Sequence, residues 1–176
     1  MAADRVFNVL FLCTGNSARS ILGEALLNHL GNGHFRAFSA GSRPKGEVHP
    51  LALAALADAG IGTSGLRSKG WEEFAGPGAP SMDFIFTVCD SAAGEACPIW
   101  PGHPASAHWG IEDPAAVTGS AFQQRAAFDE ALEHLRNRIL AFSSLPLDRL
   151  DAISLAAKLR AIGQLPGASA KASRGS

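Results

Sequence analysis

The chain has 176 residues, of which 47% are hydrophobic, and its 15 basic and 16 acidic residues give a formal net charge of −1. This length fits one domain with a substantial core, and the near-zero charge gives no indication of a nucleic-acid or membrane partner. The apolar run at residues 6–12 is too short for a signal-peptide core or a membrane span. We therefore expect a cytoplasmic protein.

Hydrophobic runs alternate with helical patterns along the chain. The pattern predicts strands at residues 6–12, 35–40, 83–88 and 106–111, and helices at residues 20–30, 50–59, 68–74 and 120–142. The first and third strands are nearly continuous apolar runs, as in parallel strands that are covered on both faces. This alternation predicts an α/β fold with a doubly wound, four-stranded parallel sheet and helices on both faces.

The C-terminal part of the chain has a different composition. We predict one domain over residues 1–145 and a helical extension over residues 146–176, with a helix at 148–162. Residues 165–176 are rich in Gly, Ala and Ser, which predicts disorder.

The segment Cys-Thr-Gly-Asn-Ser-Ala-Arg-Ser at residues 13–20 follows the first strand and leads into the first helix. Backbone N–H groups at such a junction converge on one point, where the helix dipole favours an anion. Arg19 adds a planar fork that matches two oxygens of a tetrahedral oxyanion. The dipole and Arg19 would also stabilise Cys13 as a thiolate nucleophile. The predicted anion-binding residues are Thr14, Gly15, Asn16, Ser17, Ala18, Arg19 and Ser20.

An ordinary structural explanation of this segment is a buried cysteine that ends a core strand and a solvated arginine on the next helix. Cysteine followed six residues later by arginine is common by chance. The preceding strand, the small loop residues, Gly15 and the following helix together favour the anion site.

Cys89 and Cys97 form a second group. Cys89 ends a predicted core strand, and the segment up to Cys97 is small and polar, so a disulfide between them is sterically reasonable if the segment moves. The alternatives are a zinc site or two inert thiols. Of the six histidines only His103 and His108 are nearby, so we predict no metal site.

Asp113 and Pro114 follow the last predicted strand. A carboxyl group there can face the Cys13 loop and protonate a leaving oxygen, provided that its surroundings keep it partly protonated. An Asp-Pro turn is also a common way to leave a strand.

These three motifs, in this order over residues 8–142, resemble the thioredoxin-coupled arsenate reductases built on the low-molecular-weight protein tyrosine phosphatase fold. The resemblance implies that the loop binds arsenate, that Cys13 attacks arsenic and that Asp113 protonates the departing oxygen. Cys89 would then attack Cys13 to release arsenite, and Cys97 would carry the disulfide outward for reduction by thioredoxin. It also implies a hydrogen bond from Ser20 to the Cys13 sulfur, a monomer, and no bound cofactor.

Three other functions stay open. The phosphatase branch shares the loop and the Asp-Pro pair, but its members usually carry aromatic residues after that pair, where this chain has Ala115 and Ala116. Glutaredoxin with glutathione can replace thioredoxin as reductant. A non-catalytic oxyanion-binding module would have no reason to carry Cys89 and Cys97.

The resemblance also predicts a difference from some members of the family. These place a potassium ion beside the loop, with residues that match Asn16, Glu24 and Ser39 and with a further carboxylate. Lys69 falls where that carboxylate would be, so its ammonium group would replace the ion and pair with Glu24. The alternative is a solvated lysine.

Overall fold

A computed structural model describes residues 5–94, 100 and 103–173, so Cys97 lies outside the described residues. Four strands form one parallel sheet in the order β2-β1-β3-β4. They are β1 (Phe7–Leu12), β2 (Phe35–Ala40), β3 (Phe84–Thr87) and β4 (Ala105–His108). The predicted four-stranded parallel α/β fold is confirmed, although the last strand ends three residues earlier than predicted.

Six α-helices accompany the sheet in the described residues. They are α1 (Arg19–Leu30), α2 (Pro50–Asp58), α3 (Asp90–Ala93), α4 (Ala121–Ser143), α5 (Ala152–Gly163) and α6 (Ala170–Ser173). The predicted helix at residues 68–74 is wrong in its first half, since only Trp71–Phe74 forms a short 3₁₀ helix. Residues 69 and 70 instead run beside Gly41, with which Gly70 forms a parallel bridge.

The sheet has a hydrophobic layer on each face. On one face, Phe86 stacks on Trp109 with ring centroids 3.6 Å apart, and Phe142 of α4 packs edge-on against both. On the other, Leu10 and Leu12 join a smaller cluster with Ile85 and other buried side chains. Helices must cover both faces because alternate strand residues point to opposite sides.

The strand order brings the candidate residues to one edge. β1 and β3 are hydrogen-bonded neighbours, with Leu12 opposite Thr87, so the loops that follow them start side by side. The carboxyl ends of parallel strands are where ligands bind in open α/β sheets. Cys13 and Cys89 both lie there.

Residues 165–173, the described part of the segment for which disorder is predicted, are folded instead. Residues 170–173 form α6, and Ser169 and Ala172 are 3% and 2% exposed. Arg138 of α4 donates hydrogen bonds to the carbonyl groups of Gly163, Leu165 and Pro166, which fixes the turn between α5 and α6. The composition of this segment does not reveal that it is folded, because the contacts that hold it are to residues distant along the chain. The boundary predicted at residue 145 stays a prediction.

No helix within the described residues is long and apolar enough to cross a membrane.

Candidate active site

The loop between β1 and α1 forms the floor of a cleft of about 290 Å³. The first turn of α1 has no side-chain cap, because the N-cap residue is Ala18, and it contains no acidic residue. Its N–H groups are therefore not satisfied by a capping side chain and can bind an anion. The cleft is lined by all seven residues from Cys13 to Arg19 and by Arg43, Lys45, Cys89, Ser91, Asp113 and Ala115.

The buried side chain of Asn16 stabilises the loop between β1 and α1 through hydrogen bonds. It is fully buried and has a φ of 43°, a left-handed conformation that asparagine tolerates better than most residues. Its amide donates to the hydroxyls of Ser20 at 2.8 Å and Ser39 at 3.0 Å, and its carbonyl oxygen accepts from the Lys69 N–H at 2.8 Å. The expected hydrogen bond from Ser20 to Cys13 is absent among the described residues, and the Ser20 hydroxyl accepts from Asn16 instead.

A buried ion pair lies under the same network. Lys69 Nζ is 3.6 Å from Glu24 Oε1, and the Ser39 hydroxyl donates to that carboxylate at 2.5 Å. Lys69 Nζ also donates to the Arg67 carbonyl oxygen at 2.8 Å. Burial lowers the pKa of Lys69, while the charge of Glu24 opposes this shift. The lysine therefore pairs with Glu24 as the sequence predicted, and it is not a solvated side chain.

Cys13 and Cys89 are buried, line the same cleft and are hydrogen-bonded to each other. The hydrogen bond from Cys13 is the main reason why the pKa of Cys89 falls to about 5, and N–H groups of Ala92 and Thr14 add to this effect. The pKa of Cys13 is raised by its hydrogen bond to Cys89, by burial and by the charge of Cys89, although Arg19 lowers it. The two sulfurs therefore share one proton and titrate as a pair, in which the hydrogen bonds to Cys89 favour the thiolate on that sulfur while Cys13 is protonated.

Arg19 lies between the loop of residues 13–18, which we call the cradle, and the loop after β4. Its Nη1 donates to the Ile111 carbonyl oxygen at 2.8 Å, and Nη2 lies 3.7 Å from Asp113 Oδ2. The Nε atom is buried without a hydrogen-bond partner among the described residues. A buried donor of this kind is costly unless something binds it, so Arg19 is suited to hold an oxyanion.

Asp113 lies in the segment that follows β4 and lines the cleft. Its Oδ1 caps the short 3₁₀ helix Pro114–Ala116 by accepting from the Ala115 N–H at 2.9 Å, and this fixes the side chain. Oδ2 faces Arg19, and the side chain is 41% exposed. A carboxyl group that is oriented in this way at the mouth of an anion site can exchange protons with bound oxygen and with solvent.

The sequence analysis missed two basic residues, Arg43 and Lys45. The loop after β2 docks on the cradle through backbone bonds from Arg43 N–H to the Thr14 carbonyl at 2.9 Å and from Lys45 N–H to the Gly15 carbonyl at 3.0 Å. Gly41 permits this approach, since a Cβ there would lie 2.7 Å from the Cys13 carbonyl oxygen. Only the order of the strands brings this loop to the site, so no local motif could have revealed it.

Cys97, the third predicted cysteine, lies outside the described residues. Within the described residues, no group of three or more His, Cys, Asp or Glu side chains could hold a metal ion.

The fold and the loop match a known family. Residues 8–147 match the family model described as low molecular weight phosphotyrosine protein phosphatase, and the chain belongs to this family. Within it, the chain is 32% identical over 135 residues to an arsenate reductase from Shouchella clausii, a match that covers 77% of this chain and 94% of that relative.

Two solved structures are similar in fold. One is an arsenate reductase in the phosphate binding state, with a TM-score of 0.65 and 26% identity, covering 78% of this chain and 97% of that one. The other is a thioredoxin-dependent arsenate reductase from Corynebacterium glutamicum, with a TM-score of 0.53 and 27% identity, covering 78% of this chain and 64% of that one.

Proposed function

We propose that this protein reduces arsenate to arsenite and that thioredoxin supplies the electrons. The observation that carries this proposal is the placement of two buried thiols, Cys13 and Cys89, side by side in the lining of one cleft, where the N–H of Thr14, the residue after Cys13, donates to Cys89 Sγ at 3.4 Å. Hydrolysis of a phosphate ester needs one thiolate, whereas reduction of As(V) needs two thiols that can join as a disulfide. The similarity to proteins named arsenate reductase supports the same choice.

In the first step, arsenate binds to the loop N–H groups and Arg19, and Arg43 and Lys45 add positive charge at the mouth. Cys13 passes its proton to Cys89 and becomes the thiolate. Its sulfur forms a bond to arsenic while one As–O bond breaks, and the oxygen leaves as water with a proton from Asp113. Arsenic is still As(V) in this adduct.

In the second step, Cys89 loses its proton to solvent and its thiolate attacks the Cys13 sulfur. The S–As bond breaks and its electron pair stays on arsenic, which becomes As(III) and leaves as arsenite. Two thiols have been oxidised to a Cys13–Cys89 disulfide, so the electrons balance.

In the third step, the Cys97 thiolate attacks Cys89, which forms a Cys89–Cys97 disulfide and frees Cys13. A dithiol of thioredoxin then reduces this bond by thiol–disulfide exchange. We further propose a monomeric, cytoplasmic enzyme that holds no cofactor between turnovers, whose catalytic domain spans residues 1–145.

The second candidate function is hydrolysis of phosphate monoesters, because the cradle, Arg19 and Asp113 would suit that reaction as well. Ala115 borders the cleft where a phosphotyrosine ring would need an aromatic neighbour. We therefore expect this activity to be weak and to occur beside arsenate reduction.

The test is arsenate-dependent NADPH oxidation with purified thioredoxin and thioredoxin reductase, run beside a glutaredoxin–glutathione arm and a para-nitrophenyl phosphate assay. We expect steady turnover with thioredoxin, slow turnover with glutaredoxin, and no turnover in either arm for Cys13→Ser. Phosphate-ester cleavage without arsenate reduction would contradict the proposal. Faster turnover with glutaredoxin than with thioredoxin would mean that glutaredoxin is the reductant.

A further inference from the structure

The C-terminal extension packs against the short helix that follows the second cysteine of the site. A backbone hydrogen bond from Ser169 N–H to the Gly110 carbonyl at 2.9 Å and an antiparallel bridge between Ala168 and Ile111 attach it to the segment after β4. Arg138 fixes the preceding turn from α4. Residues 167–173 are thus held beside α3, the helix that begins directly after Cys89.

Asp90, the first residue of α3, is the point of contact. The Ser169 hydroxyl donates to its Oδ1 at 2.5 Å, and the Lys171 backbone N–H donates to its Oδ2 at 3.2 Å. On the sheet side, His108 Nε2 lies 2.7 Å from the same Oδ1. Burial raises the pKa of Asp90, but the hydrogen bonds from Ser169, His108 and Lys171 outweigh this effect and lower it overall.

α3 in turn holds the sulfur of Cys89. The Ala92 N–H donates to Cys89 Sγ at 3.3 Å, and the Thr14 N–H of the cradle donates to it at 3.4 Å. Cys89 is 3% exposed in this arrangement. The geometry points to a positioning role for the C-terminal extension: Ser169 and the Lys171 N–H bind Asp90, and this contact seats α3 so that Cys89 is held against Cys13 and closed to solvent.

This role belongs to a part of the chain that the family match does not include, since that match ends at residue 147. Its value for catalysis rests on the proposed function, because only a relay between Cys13 and Cys89 needs the second sulfur held in place. The contact between the extension and α3 can be tested independently of the proposed function, because the accessibility of Cys89 can be measured without arsenate.

The test measures how fast iodoacetamide alkylates Cys89 in the reduced, full-length protein at pH 7. Cleavage after glutamate separates Cys89 from Cys97, because Glu95 lies between them. Ser169→Ala removes the hydrogen bond to the charged Asp90 carboxylate, so α3 should open more often. We expect the rate of Cys89 alkylation to rise about tenfold. Ser173→Ala is the matched control, since within the described residues that hydroxyl donates its hydrogen bond to the Ala170 carbonyl in α6 and not to Asp90.

Ser169 also caps α6 by accepting from the Ala172 N–H at 3.4 Å, so its effect must be separated from that of the cap. In Asp90→Ala the contact is already lost, and adding Ser169→Ala should then change the alkylation rate no further. Asp90→Asn, which keeps the shape of the side chain, should give a smaller increase and serves if another variant does not fold. An unchanged rate in Ser169→Ala and Asp90→Asn, or a full Ser169→Ala effect on the Asp90→Ala background, would overturn the inference. A parent protein that fails to reduce arsenate would refute the proposed function and leave this result standing.

Discussion

At the scale of residues, the proposed chemistry depends on two sulfurs that share one proton. Cys89 keeps the negative charge in the free protein because the Cys13 thiol and the N–H groups of Ala92 and Thr14 all donate to it. Arg19 acts on Cys13 and partly offsets the burial of that thiol. Cys13 therefore becomes a thiolate only when its proton moves to Cys89.

This arrangement predicts an unusual pH profile for Cys89. Since its pKa is lowered to about 5, the thiolate should be present above that pH and lost as the pH falls through it. The rate of Cys89 alkylation should accordingly be level from pH 7 down to about pH 6 and fall below about pH 5, measured by peptide mapping over that range.

Cys13→Ala is the control for the cause of this shift. It removes the largest stabilising hydrogen bond, so the inflection for Cys89 should move upward toward the ordinary cysteine value. An inflection near pH 9 in the parent, or one that does not move in Cys13→Ala, would be inconsistent with a shared proton.

At the scale of elements, the cradle is supported by a buried polar network and not by the loop alone. Asn16 connects the loop to Ser20, Ser39 and the backbone of Lys69, and Lys69 pairs with Glu24 beneath. Replacing one partner of such a pair leaves an uncompensated buried charge, so we expect the network to be sensitive to substitution.

The lysine in this network predicts indifference to potassium. Because the Lys69 ammonium group already supplies a positive charge beside Glu24 and Ser39, exchange of sodium for potassium at fixed ionic strength should leave arsenate reduction unchanged. The measurement is the kcat/KM for arsenate in the two salts. A rise of several-fold in potassium would mean that the ion binds and that Lys69 does not replace it.

At the scale of the whole molecule, the extension is joined to the α/β fold through Arg138. This fully buried guanidinium donates to the carbonyl groups of His134, Gly163, Leu165 and Pro166, and burial lowers its pKa to about 10. Its hydrogen bonds link α4 to the turn that leads to Ser169. Loss of Arg138 should therefore loosen the extension and lower the global stability together.

Arg138→Met keeps most of the side-chain volume and removes these donors. We expect the free energy of unfolding in urea to fall by about 3 kcal/mol, because several buried carbonyl groups lose their partners. Arg136→Met on the same helix is the control. Its weak, partly exposed pair with Glu133 at 3.8 Å should contribute less than about 0.5 kcal/mol. Equal losses in both variants would contradict this account of Arg138.

Much of this molecule could be predicted from local sequence. The strand, loop and helix around Cys13 and the parallel sheet followed from periodicity and turn chemistry, which are local properties. The contact between Cys13 and Cys89, the loop with Arg43 and Lys45, and the order of residues 165–173 depend on which strands and helices become neighbours. No local pattern encodes these contacts. The pKa values of the two thiols depend on them and could therefore not be predicted from the sequence either.

The proposed relay is tested most directly by arsenate treatment of reduced Cys97→Ser. The first two steps need only Cys13 and Cys89, so this variant should release one arsenite per enzyme and then stall. Peptide mapping should find a Cys13–Cys89 disulfide, which thioredoxin reduces slowly because both sulfurs are buried. Two free thiols after arsenite release, or steady turnover at the parent rate, would contradict the three-cysteine relay.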